Sequence, residues 1–250
     1  MHIPDGFVSP QLCIVGYGLS GLVTWHCLRQ VKRQPDPTAQ MPKAALLAAA
    51  FFVASSIQIP LPPMSLHLVL NGLLGAVLGY YAFLAILIGL FFQALFLGHG
   101  GLSTLGVNAI IIGVPALVGY GVFQLRRWLP RSLTPAMRYG ISGFLAGATG
   151  MTLAVTIFIS LLIFAVPVGF DAATERTALL TLGIAHGPLI IIEGLFTALL
   201  VTFLQRTKPD LLTGLAPVPA QPSQQRHGQP VNSSGEQLCE IGRASCRERV

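Results

Sequence analysis

Charge is what this chain most lacks. Charged residues fill 10% of its 250 positions, and only nine are acidic, whereas a soluble domain is about a quarter charged. Hydrophobic residues fill 53%, and mean hydropathy is +0.69. Several apolar runs approach the roughly 20 residues that cross a bilayer, so a soluble globular fold is excluded. The start lacks the basic stretch, apolar run and small-residue cleavage site of a secretory leader, because Asp5 comes long before the first basic residue, Arg29. No G-x-x-x-x-G-K-[ST] loop occurs, so the chain does not hydrolyse ATP by that chemistry. There is no H-E-x-x-H, no C-x-x-C and no clear internal repeat. Cys13 and Cys27 lie in the first apolar segment and Cys239 and Cys246 in the tail, a spacing that supports neither a zinc site nor a redox pair.

What is present is a series of seven hydrophobic segments: Leu12–Leu28, Ala44–Ile59, Leu66–Gly79, Tyr81–Leu97, Gly106–Leu125, Gly140–Val166 and Ala178–Leu204. They predict an all-α polytopic membrane protein of about seven transmembrane helices. The third segment is short and interrupted by Asn71, Gly72 and Gly75, which suits a span that is tilted or wrapped by its neighbours. Residues 1–212 form the membrane domain. From residue 213 the composition turns to Pro, Gln, Ser and Gly, which cannot build a core and reads as a disordered cytoplasmic tail. The final stretch, CEIGRASCRERV, matches neither part and reads as foreign to the domain.

The net charge of +6 does not point to nucleic acid, because the basic residues sit in short loops. Arg29, Lys32, Arg33 and Lys43 lie between segments one and two. Arg126, Arg127, Arg131 and Arg138 lie between five and six, and Arg206 and Lys208 follow seven. The opposite loops carry only Arg176. Basic loops stay cytoplasmic, so seven crossings put the N-terminus outside and the C-terminus in the cytoplasm.

That orientation gathers four of the six histidines near the outer face: His2, His67, His99 and His186. Ionisable groups in a membrane are costly and mark function, and histidine is the commonest metal ligand. The opening MHIPDGFVSP adds a chemical reason. The Met1 amine, the His2 backbone nitrogen and the His2 imidazole can close two fused chelate rings in one plane, a geometry favoured by Cu(II) and Ni(II). A fourth nitrogen from another histidine would complete the square. Pro4 stiffens the chain behind this hook, and Ser9-Pro10 reads as a helix N-cap with proline at N1.

Four stretches, MHIPDGFVSP, SLHLVLNGLLGAVLGYYAF, FLGHGGLSTLGVNAIIIG and HGPLIIIEGLFTALLVTFLQRTKPDLL, occur in this order between Met1 and Leu212. Together they resemble the CbiM/NikM family, the substrate-binding membrane subunits of energy-coupling-factor transporters for cobalt and nickel. The resemblance implies Met1, His2 and His67 as planar nitrogen ligands of a transported Ni²⁺ or Co²⁺. It also implies partners: two cytoplasmic ATPases, a transmembrane coupling subunit and often a small membrane accessory protein, all at the cell membrane. Ala44, Ala48, Ala50 and Ala54 form small-xxx-small patterns that allow close helix approach, and similar patterns serve this transporter class for docking.

Around these ligands, Asn71 is expected on the same helical face as His67, either orienting its imidazole or packing helices. His99 is expected either as a lid contact to metal or as a loop histidine satisfying carbonyls. His186 and Glu193 share a face of the seventh segment and are expected in interhelical hydrogen bonds, with a proton relay as the other role. Two further classes stay open. A membrane metalloenzyme would need an open coordination position and a base, for which Glu193 and Asp171 are the candidates. A stand-alone divalent-metal channel would need a continuous polar path.

Overall fold

The computed structural model describes residues 2–57, 59–61, 64–66, 68–130, 132–165 and 172–213. The proposed tail lies outside the described residues, as do Met1 and His67 among the expected ligands.

The seven apolar segments correspond to seven helices: α1 (Pro10–Lys32), α2 (Met41–Ser56), α3 (Asn71–Leu78), α4 (Tyr81–Leu97), α5 (Leu105–Gln124), α6 (Pro135–Ala165) and α7 (Ala172–Thr207). A four-residue turn of helix, α8 (Asp210–Thr213), follows. The start of α1 is as the sequence predicts, with Ser9 as N-cap in extended conformation and Pro10 in the first turn. Among the described residues three stretches are long and apolar enough to cross a membrane: Leu105–Arg127, Pro135–Ile163 and Gly183–Thr207. The α2 and α4 helices are apolar but shorter, at 16 and 17 residues. Side chains such as Ile14, Leu46, Ile184 and Leu199 are more than 70% exposed, as lipid-facing positions must be in the isolated protein.

Two expectations need correction. The all-α class holds, but the end of the second segment and the start of the third are not helical: β1 (Ile59–Leu61) and β2 (Met64–Leu66) pair antiparallel, with Ile59 opposite Leu66. The reason is legible in IPLPPMS, where Pro60, Pro62 and Pro63 each deny the backbone a donor and a helical predecessor. In consequence the third segment does not start at Leu66. Its helix starts at Asn71 and has eight residues, about 12 Å, too short for a hydrocarbon layer about 30 Å thick. The orientation argument, which needs this segment to cross, therefore does not rest on seven bilayer-length helices.

All eight residues of α3 are buried. The helix is enclosed by α4, α5, α6 and α7, so its irregular flanks are shielded by protein rather than exposed to lipid, the condition under which such backbone is tolerated. Close approach is bought with glycine. A Cβ on Gly75 would lie 2.0 Å from the Ala116 carbonyl oxygen, and one on Gly72 would lie 2.4 Å from that of Ala146. At the far end Lys43 donates to the Val77 and Leu211 carbonyls, at 3.1 and 2.9 Å. One ammonium thus joins α2, the C-terminal end of α3 and α8, at the end of a helix where a cation is favoured.

Substituting Gly75→Ala should lower the apparent Tm in detergent, with the overpacking cost of about 1–3 kcal/mol expected for a backbone contact that cannot yield. Gly18→Ala is the control. It sits in α1 with open space around the added methyl, and should be neutral or stabilising by up to about 1 kcal/mol.

Candidate metal centre

The N-terminal hook is folded into the protein and held by side chains of α5 and the loop before it. Ile3 is 1% exposed. Its backbone N–H donates to Asn108 Oδ1 at 2.9 Å, and Asn108 Nδ2 donates back to the Ile3 carbonyl at 3.0 Å. The Thr104 hydroxyl donates to the same carbonyl at 2.7 Å. One asparagine therefore grips both polar groups of a single residue, as a neighbouring strand would. The grip fixes the backbone immediately after His2.

Two residues on, the Asp5 carboxylate accepts from the Ser103 N–H at 2.9 Å, the Ser103 hydroxyl at 2.5 Å and the Leu102 N–H at 3.2 Å. These amides lie in the loop just ahead of α5, whose N-cap Thr104 makes no side-chain cap bond of its own. Asp5 supplies from a distant part of the chain the negative charge that a helix N-terminus favours. The Ser103 hydroxyl, first among these donors, holds the Asp5 carboxyl below the usual carboxylate range. Gly6, at φ +79°, turns the chain back, and the Phe7 N–H closes the turn on the Pro4 carbonyl at 3.4 Å.

The glycines of FLGHGGLSTLG make room for the hook. Gly98 ends α4 in the left-handed conformation, and the His99 N–H returns to the Gln93 carbonyl at 3.1 Å, a helix ending in which glycine avoids the Cβ penalty. His99 then meets His2 edge to face, with ring centroids 4.6 Å apart and planes at 89°. Burial holds the His99 imidazole below the ordinary histidine range. At Gly101 a Cβ would lie 1.9 Å from the Asp5 carboxylate, so that glycine leaves the space the docked carboxylate fills, while Gly100 is needed for its backbone at φ +78°. The Tyr17 hydroxyl of α1 donates to the Leu102 carbonyl and ties the same loop to the first helix.

The remaining expected residues lie in the helical core. Asn71 does not share a helical turn with His67, since α3 begins at Asn71 itself. Its Nδ2 donates to the Gly150 carbonyl of α6 at 3.2 Å and its Oδ1 accepts from the Gly72 N–H, a contact that joins α3 to α6. His186 and Glu193 are both buried on α7, at 1% and 0% exposure. Glu193 does make a contact between elements. Its carboxyl accepts from the Val69 N–H at 2.5 Å and the Leu70 N–H at 2.8 and 3.1 Å. Leu70 is the one non-glycine residue with positive φ among the described residues, at +54°, a conformation costing roughly 1–2 kcal/mol.

Asn108, Thr104 and Asp5 were not among the expected site residues. Their signal is faint but present: GLSTLGVN places polar residues on one face of an otherwise apolar helix start, and only a partner segment explains why they are kept there. Among the described residues, no three His, Cys, Asp or Glu side chains converge. In Asn108→Ala the buried Ile3 N–H loses its acceptor, which costs about 1–3 kcal/mol. Hydrogen exchange of the Ile3 amide should accelerate about ten-fold or more, read by mass spectrometry on the N-terminal peptide.

Residues 2–211 match the family model described as CbiM, cobalt uptake substrate-specific transmembrane region. The cobalt transport protein CbiM of Sorangium cellulosum is 31% identical over 228 residues, covering 86% of this chain and 96% of that protein. That of Chlorobium limicola is 32% identical over 217 residues, covering 84% and 83%. A crystal structure of a transition metal transporter superposes with a TM-score of 0.66 at 26% identity, over 82% of this chain and 93% of the other. A truncated form gives the same TM-score at 25% identity. With that fold and residues 2–211 under the family model, the chain belongs to the CbiM family of membrane proteins for cobalt and metal uptake and is not an enzyme.

Proposed function

We propose that this chain captures Co²⁺ or Ni²⁺ from outside the cell membrane and is the substrate-binding subunit of an energy-coupling-factor transporter. The ligands are the Met1 amine, the His2 backbone and imidazole nitrogens, and the His67 imidazole. The observation that carries the reading is the clasp on Ile3. Immobilising the residue behind a terminal chelate removes part of the ordering cost of closing it, and Asn108 and Thr104 hold both backbone groups of that residue. His99, packed on the His2 ring, restricts how that imidazole turns. The family relation supports cobalt, and the planar nitrogen set supports nickel.

The orientation, outer N-terminus and cytoplasmic C-terminus, rests on the basic loops at 29–43, 126–138 and 206–208, and on the return of the chain through α3: Lys43, at the start of α2, meets the Val77 carbonyl near the end of α3, so α2 and the stretch ending in α3 together leave one face and come back to it. The chain carries no ATPase motif, so the energy comes from partners: two cytoplasmic ATPases and a transmembrane coupling subunit, often with a small accessory protein. A groove of about 620 Å³ between α1, α2 and α4, lined by Leu28, Ala44, Ala45, Ala48, Ala49 and Phe92 among others, supports helix docking. Its small residues let a partner helix come close, as packing in lipid requires. In this mechanism the partners reorient the loaded subunit and release the metal inward.

His2→Ala and His67→Ala should each raise the Kd for Ni²⁺ or Co²⁺ at least about 100-fold by calorimetry, near 2.7 kcal/mol. Wild-type affinity in both variants refutes the ligand set. Vesicles holding this chain alone should show no metal flux; flux without ATPase partners identifies a channel instead.

Two pH thresholds should separate. Protons compete for the amine and imidazole nitrogens, whose ordinary pKa values lie near 8 and 6.5, so affinity should fall from about pH 8 to 5. The hook itself should stay docked through that range. Asp5 has a depressed pKa, so its contribution is present above the ordinary carboxylate value and is lost as pH falls through the folded one, below about 4. Exchange protection of the Ile3 amide at pH 5, in protein that has lost its metal, is the check.

A further inference from the structure

The hook accounts for one half of the proposed chelate. The other half, His67, comes from a segment that has no helix of its own to hold it, since α3 begins four residues later. Between them the chain makes a left-handed turn at Leu70, which stands at the N-cap position of α3 and has no side-chain cap bond. A leucine cannot supply one, because capping takes a side-chain oxygen. Inside the helix the Gly72 N–H is taken by Asn71 Oδ1 at 2.7 Å, and the amides just ahead of the helix are taken by α7. The Glu193 carboxyl, wholly buried, accepts the Val69 N–H and, with both its oxygens, the Leu70 N–H. These two amides lie two and three residues after His67, and more than 120 positions before Glu193.

We propose that Glu193 is the positioning residue for the His67 segment: it fixes the backbone at 69–70, two and three residues after the proposed ligand, and so limits the freedom of the chain that carries it. The inference rests on the proposed ligand role of His67. Three features distinguish it from general core packing. The carboxyl meets only backbone N–H groups in its recorded bonds, so it specifies chain path rather than a side-chain pair. It acts on the one left-handed non-glycine residue among those described, where the backbone would otherwise relax. And it sits at the N-terminal end of a buried helix, where a carboxylate is favoured by the helix dipole. Lys43 fixes the other end of the same helix through the Val77 carbonyl. With α3 held at both ends, the turn at 69–70 cannot shift along the helix axis without breaking one of these bonds.

The test compares Glu193→Ala, Glu193→Gln and His67→Ala by metal affinity and by the Cu²⁺ electron paramagnetic resonance spectrum, which counts planar nitrogen donors. Glu193→Ala should weaken Ni²⁺ binding about ten- to hundred-fold, the range for residues that orient ligands, and should broaden or reduce the four-nitrogen signal. Glu193→Gln keeps one carbonyl acceptor for these amides and should recover most of the signal, with a smaller loss of affinity. A purely structural role would lower the Tm of all metal-free Glu193 variants yet leave the nitrogen count of the folded fraction unchanged. Wild-type affinity and spectrum in folded Glu193→Ala overturn the inference, while His67→Ala with lost binding leaves the ligand set standing. Wild-type binding by His67→Ala overturns the ligand set itself. If Glu193→Ala does not fold, Glu193→Gln carries the test: an undiminished affinity together with an unchanged spectrum overturns the proposal.

Discussion

The structure depends on holding the segment from His2 to Gly6 as part of a core. Ordering an irregular segment costs conformational entropy, which its own short turn does not offset. The compensation is the clasp of Asn108 on Ile3, with its N–H and carbonyl both engaged in a dry site. Leaving either group unpaired there would cost more than the bond returns in water. The clasp is therefore close to all-or-none: either the hook docks with both bonds or it stays out. Asp5 extends the same logic to the loop before α5, and the bare backbone of Gly101 leaves the space it needs.

A second feature repeats in two places. Helices α3 and α5 both begin at residues that form no side-chain cap, Leu70 and Thr104. Both receive a carboxyl from elsewhere, Glu193 for the amides at 69–70 and Asp5 for those at 102–103. In a largely apolar protein an acidic group is expensive, and only nine are present in the chain. Two of the nine stand at the entrances to the helices nearest the expected ligands. A local cap would fix a helix start relative to itself. A remote one fixes it relative to another helix, which is what a metal site assembled from separate segments needs.

The membrane setting explains the division of labour among the helices. The long helices α5, α6 and α7 provide the bilayer-length frame. Within it α3 is screened from lipid on all sides and is free to be short, glycine-rich and irregularly flanked. Close backbone crossings at Gly72 and Gly75 bring α6 and α5 against it with no side chain between. The apolar groove between α1, α2 and α4 lies on other elements, so a partner can engage the frame without covering the hook.

Read alone, the sequence determined the membrane class, the number of helical segments and most of their limits. Helix α4 runs from Tyr81 to Leu97 as expected, and α1 starts at Ser9-Pro10. These follow from hydropathy and from the stereochemistry of serine and proline, which act over a few residues. Local pattern misassigned the stretch after α2, where three prolines end the helix and a hairpin replaces it. It also put Asn71 beside His67, because a helical turn was assumed where Leu70 turns left-handed. Only the tertiary structure decided that Asn108 holds Ile3, that Asp5 holds the loop before α5 and that Glu193 grips the amides at 69 and 70. Those partners stand 97 to 124 positions apart. An isolated asparagine or glutamate in an apolar helix announces that it must be satisfied, but the group that satisfies it is chosen by how the helices pack.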